Sequence, residues 1–273
     1  MIKRTGAIGD VVMAEPLITY YYDCGYEVYL DTMIDNMSLF FNHPYPVYHI
    51  SQKPEKLEFE KMLDLDMSYE GMPTKNVLET YFEFAGVNLN MNLMYKRNSI
   101  LNVNKNAHRW MFDKYIVFHI DDTGIPHRNI MGIDWKNIEK FFKRKGYNLI
   151  QVGHKSVQKI GIQLHTETKQ MLMYLLAGAE CVIGIDSGVT QIAVALGKKT
   201  IIFTGSVDLK LRYQDFENIQ VVKLPCPSEE NEYCYHKTNG SVTGSVCIFD
   251  KNTPPCVQFK NEQLKEAYKN FKL

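Results

Sequence analysis

Apolar and polar positions alternate along the chain with a period that switches repeatedly between two and about 3.6 residues, which predicts strands and helices in turn. Residues 2–4 read as a short strand, Gly6 and Gly9 as a turn, and residues 11–22 as a helix with Pro16 near its start. Residues 27–30 and 47–50 read as short strands around a helical stretch at 33–41, the β/α alternation of a parallel sheet. A further strand is expected at 64–69 and a helix at 76–85 that ends at Gly86; residues 87–106 are polar and asparagine-rich, as in a linker. The alternation then restarts, with strands at 115–120, 148–152, 181–185 and 200–203 and helices at 135–144, 168–177, 191–196 and 262–271. Residues 226–255 are irregular and rich in turn formers. Two successive β/α series predict two lobes, residues 1–107 and 108–273.

Composition narrows this picture. A chain of 273 residues that is 45% hydrophobic and 23% charged can bury a sizeable core. Basic and acidic residues balance at 31 each, so the global attraction that draws proteins to nucleic acid is missing, and only a local patch such as residues 140–144 would supply it. No apolar run approaches the ~20 residues that span a bilayer, and no basic segment followed by an apolar stretch opens the chain. A cytoplasmic protein is therefore expected. Cys24 and Cys181 lie inside apolar patterns, where cysteine behaves as a small buried hydrophobe.

Three clusters carry candidate chemistry. In Thr5-Gly6-Ala7-Ile8-Gly9-Asp10, two glycines between a strand and a helix let the backbone approach a ligand. Asp10 is then either a helix cap or a carboxylate at the mouth of a cleft. In Gly184-Ile185-Asp186-Ser187-Gly188, at the carboxyl end of a strand and the start of a helix, Asp186, Ser187 and Gly188 offer a carboxylate, a hydroxyl and bare amides to a sugar diphosphate, or they cap the helix. Cys226, Cys234, His236, Cys247 and Cys256 form a candidate structural zinc site without a Cys-x-x-Cys pair; unlinked thiols or disulfides are the alternatives. His119, Asp121 and Asp122 also follow a strand, and a satisfied core histidine is the common fate of the first.

The segments TGAIGDVVMAEPL and GIDSGVTQIAVALGKKTIIFTGSVD resemble the heptosyltransferase-like glycosyltransferases of family 9. In that family S-x-G-D-V precedes an apolar helix, and D-[ST]-G-x-x-H precedes an alanine-rich helix and a strand ending in F-G. The resemblance implies an α/β fold of GT-B type, two Rossmann-like lobes facing across a cleft. It implies an enzyme that moves a sugar from a nucleotide-sugar donor to an acceptor hydroxyl and needs no cofactor for catalysis. One carboxylate base without a nucleophile partner suggests inversion. By position, Asp10 matches the general base, and Gly6 and Gly9 the acceptor-side loop. Asp186, Ser187, Gly188 and Gln191 match the donor signature, and Thr204, Gly205 and Ser206 the loop after the next strand. Arg128 matches a basic or hydroxyl position near the donor diphosphate. Two departures stand out. Gln191 replaces the usual histidine, which removes any role needing an imidazole proton, and the first lobe is short for an enzyme of lipopolysaccharide. The expected acceptor is a saccharide or glycolipid. A phage-type enzyme acting on hydroxymethylated cytosine in DNA and a non-catalytic sugar-nucleotide-binding protein are the alternatives, in a bacterium or a phage-infected cell.

Overall fold

A computed structural model describes residues 1–88, 113–153, 155–213, 217–244 and 246–271. Its first sheet is built from β1 (Ile2–Lys3), β2 (Val28–Asp31), β3 (Val47–His49) and β4 (Leu63–Asp64), all parallel in the order β3-β2-β1-β4. Helix α1 (Ile8–Asp23) follows β1, and α2 (Val77–Phe84), capped by the Asn76 side chain, follows β4. Strand order reverses between β1 and β4, so the loops after these two strands splay apart and open a crevice.

The second sheet has six parallel strands in the order β10-β9-β8-β5-β6-β7, a doubly wound arrangement whose reversal lies between β5 (Tyr115–His119) and β8 (Cys181–Ile185). The others are β6 (Asn148–Val152), β7 (Ile162–Leu164), β9 (Thr200–Thr204) and β10 (Ile219–Lys223). Between them run α3 (Trp135–Lys143), α4 (Lys169–Gly178) and α5 (Gly188–Ala195), followed by one-turn helices α6 (Cys234–Lys237) and α7 (Gly240–Thr243) and by α8 (Asn261–Asn270). Strands β5, β8 and β9 are buried on both faces, which is why they read as unbroken apolar runs.

One apolar core runs from α1 through α5 to one face of the second sheet, joining Leu17 and Ile18 to Ile192, Val117 and Val182. Each such fully buried aliphatic side chain contributes about 1.5–3 kcal/mol. A separate core fills the other face, where α8 covers Phe203 and Phe142 with Leu264 and Tyr268. The starts of α1 and α5 meet because two glycines face each other. A Cβ on Gly188 would lie 1.9 Å from Ile8 Cγ2, and one on Gly9 would lie 3.4 Å from Gly188 Cα.

Several details differ from the sequence reading. Pro16 sits midway along α1, where it leaves the Val12 carbonyl without its helical donor. The strand expected at 64–69 pairs only at Leu63–Asp64, because the chain turns back at Met67, whose φ is +61°, and sends Tyr69 and Glu70 toward the crevice. Residues 34–40 form a 3-10 helix, and α5 begins three residues earlier than its apolar spacing indicates. Short β7 and β10, with mixed burial, were not anticipated, nor were α6 and α7 in the irregular segment. Residue 107, the expected boundary, and most of the expected linker lie outside the described residues.

Candidate active site

A cleft of about 310 Å³ lies where the two crevices face each other, lined from one lobe by Gly9, Asp10, Tyr69 and Glu70 and from the other by Arg128, Asp186, Ser187, Gly188, Gln191, Arg212 and Tyr235. On the first side, the residue after β1 is Arg4, only 2% exposed. Its guanidinium contacts Glu70 at 2.9 Å, Asp10 at 3.1 Å and Asp66 at 3.6 Å, and it donates to the Leu65 carbonyl at 3.0 Å. Three carboxylates thus share one buried cation.

Asp10 occupies the first turn of α1. The Ala7 N–H donates to its Oδ2 at 3.1 Å, and the Tyr69 hydroxyl donates to its Oδ1 at 3.1 Å. It therefore does what a helix cap does and also faces the cleft. Burial raises the Asp10 pKa above the ordinary carboxylate value; Arg4 opposes that rise, Glu70 adds to it, and Arg212 and the Tyr69 hydroxyl oppose it. Gly6 leaves room for this arrangement, since a Cβ there would lie 2.7 Å from Asp10 Oδ2.

On the second side, Ser187 caps α5, and its hydroxyl pairs with His119 Nδ1 at 3.0 Å across the strand reversal. His119 is thereby joined to the donor-signature loop. Asp186 is held by two groups: Tyr213 donates to its Oδ1 at 3.0 Å, and Arg128 reaches its Oδ2 at 3.3 Å and its backbone carbonyl at 3.1 Å. Arg128 also donates to the Tyr235 hydroxyl at 3.3 Å and lies over that ring. Gln191, buried beside them, donates through Nε2 to the Arg212 carbonyl at 3.2 Å, while its Oε1 has no hydrogen-bond partner among the described residues. Asp186 therefore orients Arg128, and Arg128 with the amides at the start of α5 presents positive charge to the cleft.

Three sequence-derived groups lie elsewhere. Thr204, Gly205 and Ser206 do not line the cleft: Thr204 donates to the Val207 carbonyl and Ser206 to the His127 carbonyl, which ties their loop down beneath the cysteine segment. Cys226, Cys234, Cys247 and Cys256 line one small cavity of about 50 Å³ together with Gly205 and Ser206, and all four are free thiols. Burial raises the Cys234 and Cys256 pKa values, Cys256 to about 12, and the other three thiols add to the rise in Cys256. Among the described residues no group of three or more His, Cys, Asp or Glu is arranged to hold a metal ion. His236 faces away from the thiols; its Nε2 accepts from the Asp208 N–H and its Nδ1 pairs with the Pro73 carbonyl, so it clamps the two lobes, and burial lowers its pKa to about 4. Asp121 and Asp122 border a second hollow of about 290 Å³, and Gly153 is required there because a Cβ would meet the Asp121 carboxylate at 2.4 Å. Lys140, Lys143 and Arg144 lie on and beside α3 and do not line the cleft.

Sequence reasoning missed Arg4, Tyr69, Glu70, Arg212, Tyr213 and Tyr235. Arg4 was within reach of the rule that ligands gather beyond the carboxyl ends of parallel strands. Tyr69, Glu70, Arg212 and Tyr213 lie on turns or irregular chain and Tyr235 on the one-turn helix α6, none of them with a readable periodicity.

No family model matches the sequence, and no curated protein matches it. Solved structures do match. The iron-containing dodecameric glycosyltransferase TibC from enterotoxigenic E. coli superposes with a TM-score of 0.75 at 14% identity, over 99% of this chain and 75% of that one. A family 9 glycosyl transferase from Veillonella parvula gives 0.65 at 10% identity, over 98% and 95%. E. coli heptosyltransferase WaaC, solved with ADP-2-deoxy-2-fluoro heptose, gives 0.56 at 14% identity, over 89% and 97%. No helix among the described residues is long and apolar enough to cross a membrane. The two parallel sheets and these superpositions together show that the chain has the two-lobed GT-B fold of the family 9 heptosyltransferases.

Proposed function

We propose that the chain is a glycosyltransferase that moves a sugar from a nucleotide-sugar donor on the second lobe to a hydroxyl held against the first. The observation that carries this reading is the meeting of a partly buried carboxylate of raised pKa, Asp10, with the amides of α5 and Arg128 in one cleft. The acceptor hydroxyl gives its proton to the Asp10 carboxylate as its oxygen attacks the anomeric carbon. The bond from that carbon to the diphosphate breaks, and the nucleoside diphosphate leaves with the electron pair. Amides of α5 and the Arg128 guanidinium take up the developing charge, so charge neutralisation needs no metal cofactor. A single displacement inverts the anomeric configuration.

Asp10 must be ionised to act, so turnover is lost as pH falls through its pKa, which burial raises from the ordinary carboxylate value. The acceptor we favour is a saccharide or glycolipid; the basic residues 140–144, remote from the cleft, lend no support to a DNA acceptor. Because two structural neighbours were solved with ADP-heptose or its fluoro analogue, ADP-linked sugars are the first donors to test. A matching nucleotide sugar at 100 times its Kd stabilises the fold by about 2.7 kcal/mol, which a thermal-shift screen of nucleoside diphosphates and their sugars reads directly. A screen in which none of them raises the melting midpoint contradicts the proposal.

We further propose that the four thiols around the small cavity close on one structural metal. Their donor set suits a tetrahedral zinc or iron and all four line one small cavity, but among the described residues they are not gathered around a common metal position, so binding requires them to draw together. Elemental analysis of protein purified under reducing conditions should find about one equivalent, lost in Cys234→Ser. Metal-free protein that folds normally contradicts this.

A further inference from the structure

Among the described residues Arg212 is a buried cation that makes no ion pair of its own, and the carboxylates of Asp186 and Asp10 act on it only from a distance. It follows the 3-10 turn Leu209–Leu211 and is 8% exposed. Its planar faces are occupied, since the guanidinium lies 4.7 Å from the Tyr69 ring centroid and 5.9 Å from that of Tyr235. Its edges are not. Nε is fully buried without a hydrogen-bond partner among the described residues, as it is in Arg4 and Arg128, but of these three only Arg212 has no acceptor there within hydrogen-bond or ion-pair reach of its terminal nitrogens. The other arginines of the cleft differ. Arg4 is engaged by Asp10, Glu70 and the Leu65 carbonyl, and Arg128 by Asp186 and Tyr235. A desolvated guanidinium with free donors is costly unless an anion completes it. Arg212 lines the same cleft as the start of α5, and Gln191, on the first turns of that helix, holds its backbone carbonyl at 3.2 Å.

We infer that Arg212 binds the diphosphate of the donor and takes up its charge as the nucleoside diphosphate departs. This rests on the reading of the cleft as a nucleotide-sugar site. A guanidinium fixed by two aromatic faces keeps its donors in one plane, which suits a bidentate grip on a phosphate. The Arg4 guanidinium also lies over the Tyr69 ring, 5.0 Å from its centroid, and the Tyr69 hydroxyl donates to Asp10. Anion recognition on one lobe and the base on the other thus share one ring.

Titration calorimetry with ADP and AMP, or with the diphosphate and monophosphate of whichever base stabilises the parent best, tests this on the parent, Arg212→Lys and Arg212→Gln. The preference for diphosphate over monophosphate should fall by about 10-fold or more in Arg212→Gln, the scale of a lost hydrogen bond to a charged group, and by less in Arg212→Lys. A general folding defect weakens both ligands and leaves their ratio unchanged. An unchanged ratio in both variants overturns the role of Arg212 and leaves the donor site standing. A parent that binds no nucleoside diphosphate overturns both.

Discussion

Asp10→Asn should lower sugar transfer by about 100-fold or more, the usual scale for losing a general base, while leaving the donor Kd nearly unchanged. Asparagine still offers an acceptor to the Ala7 N–H, and Arg4 keeps its contact with Glu70, so fold stability should change by no more than about 1 kcal/mol. Kinetics and thermal melting of the purified variant separate the two roles that Asp10 combines. Turnover close to that of the parent would reduce Asp10 to a helix cap. Loss of donor affinity together with activity would move it into the donor site.

Arg4→Met should cost about 3–5 kcal/mol of stability, because it leaves buried carboxylates without their cation. The side chain it removes is 2% exposed, and Asp10, Glu70 and Asp66 all turn toward it. Its second effect has a definite sign. Arg4 holds the Asp10 pKa down against burial, so its removal lets that pKa climb further, and the acid limb of the pH–rate profile moves to higher pH. Arg4→Lys keeps the charge but not the planar fork, so both effects should shrink. Chemical denaturation and a pH–rate profile measure them; a loss below about 1 kcal/mol with an unmoved acid limb would mean that Arg4 does not support the base.

The elements legible in the sequence were those with strong periodicity or clear ends. β5 and β8 are buried on both faces and read as apolar runs, and α2 is capped by Asn76 and followed by Gly86, whose φ is +66°. Asp10, Asp186 and Gly188 were legible because they sit at strand-to-helix turns, and all three line the cleft. Tyr69 and Glu70 were hidden by a stretch that reads as strand but turns after two paired residues. Arg212 and Tyr235 come from segments whose conformation is set by tertiary contacts rather than by local pattern, so no spacing betrays them. Thr204 to Ser206, by contrast, were legible as a loop after a strand but lie outside the cleft. They occupy the right place after a strand, but β9 lies one strand beyond the reversal point, and the cysteine segment takes up the space above its end.

Where the donor sits is read from the structure of the protein with a bound nucleoside diphosphate sugar, or an unreactive analogue of one. The diphosphate should lie against the amides at the start of α5, within hydrogen-bond reach of Arg128, and the anomeric carbon on the side of the cleft that holds Asp10. A donor bound outside the cleft, or one with its diphosphate a full residue layer away from both Gly188 and Arg128, would contradict it.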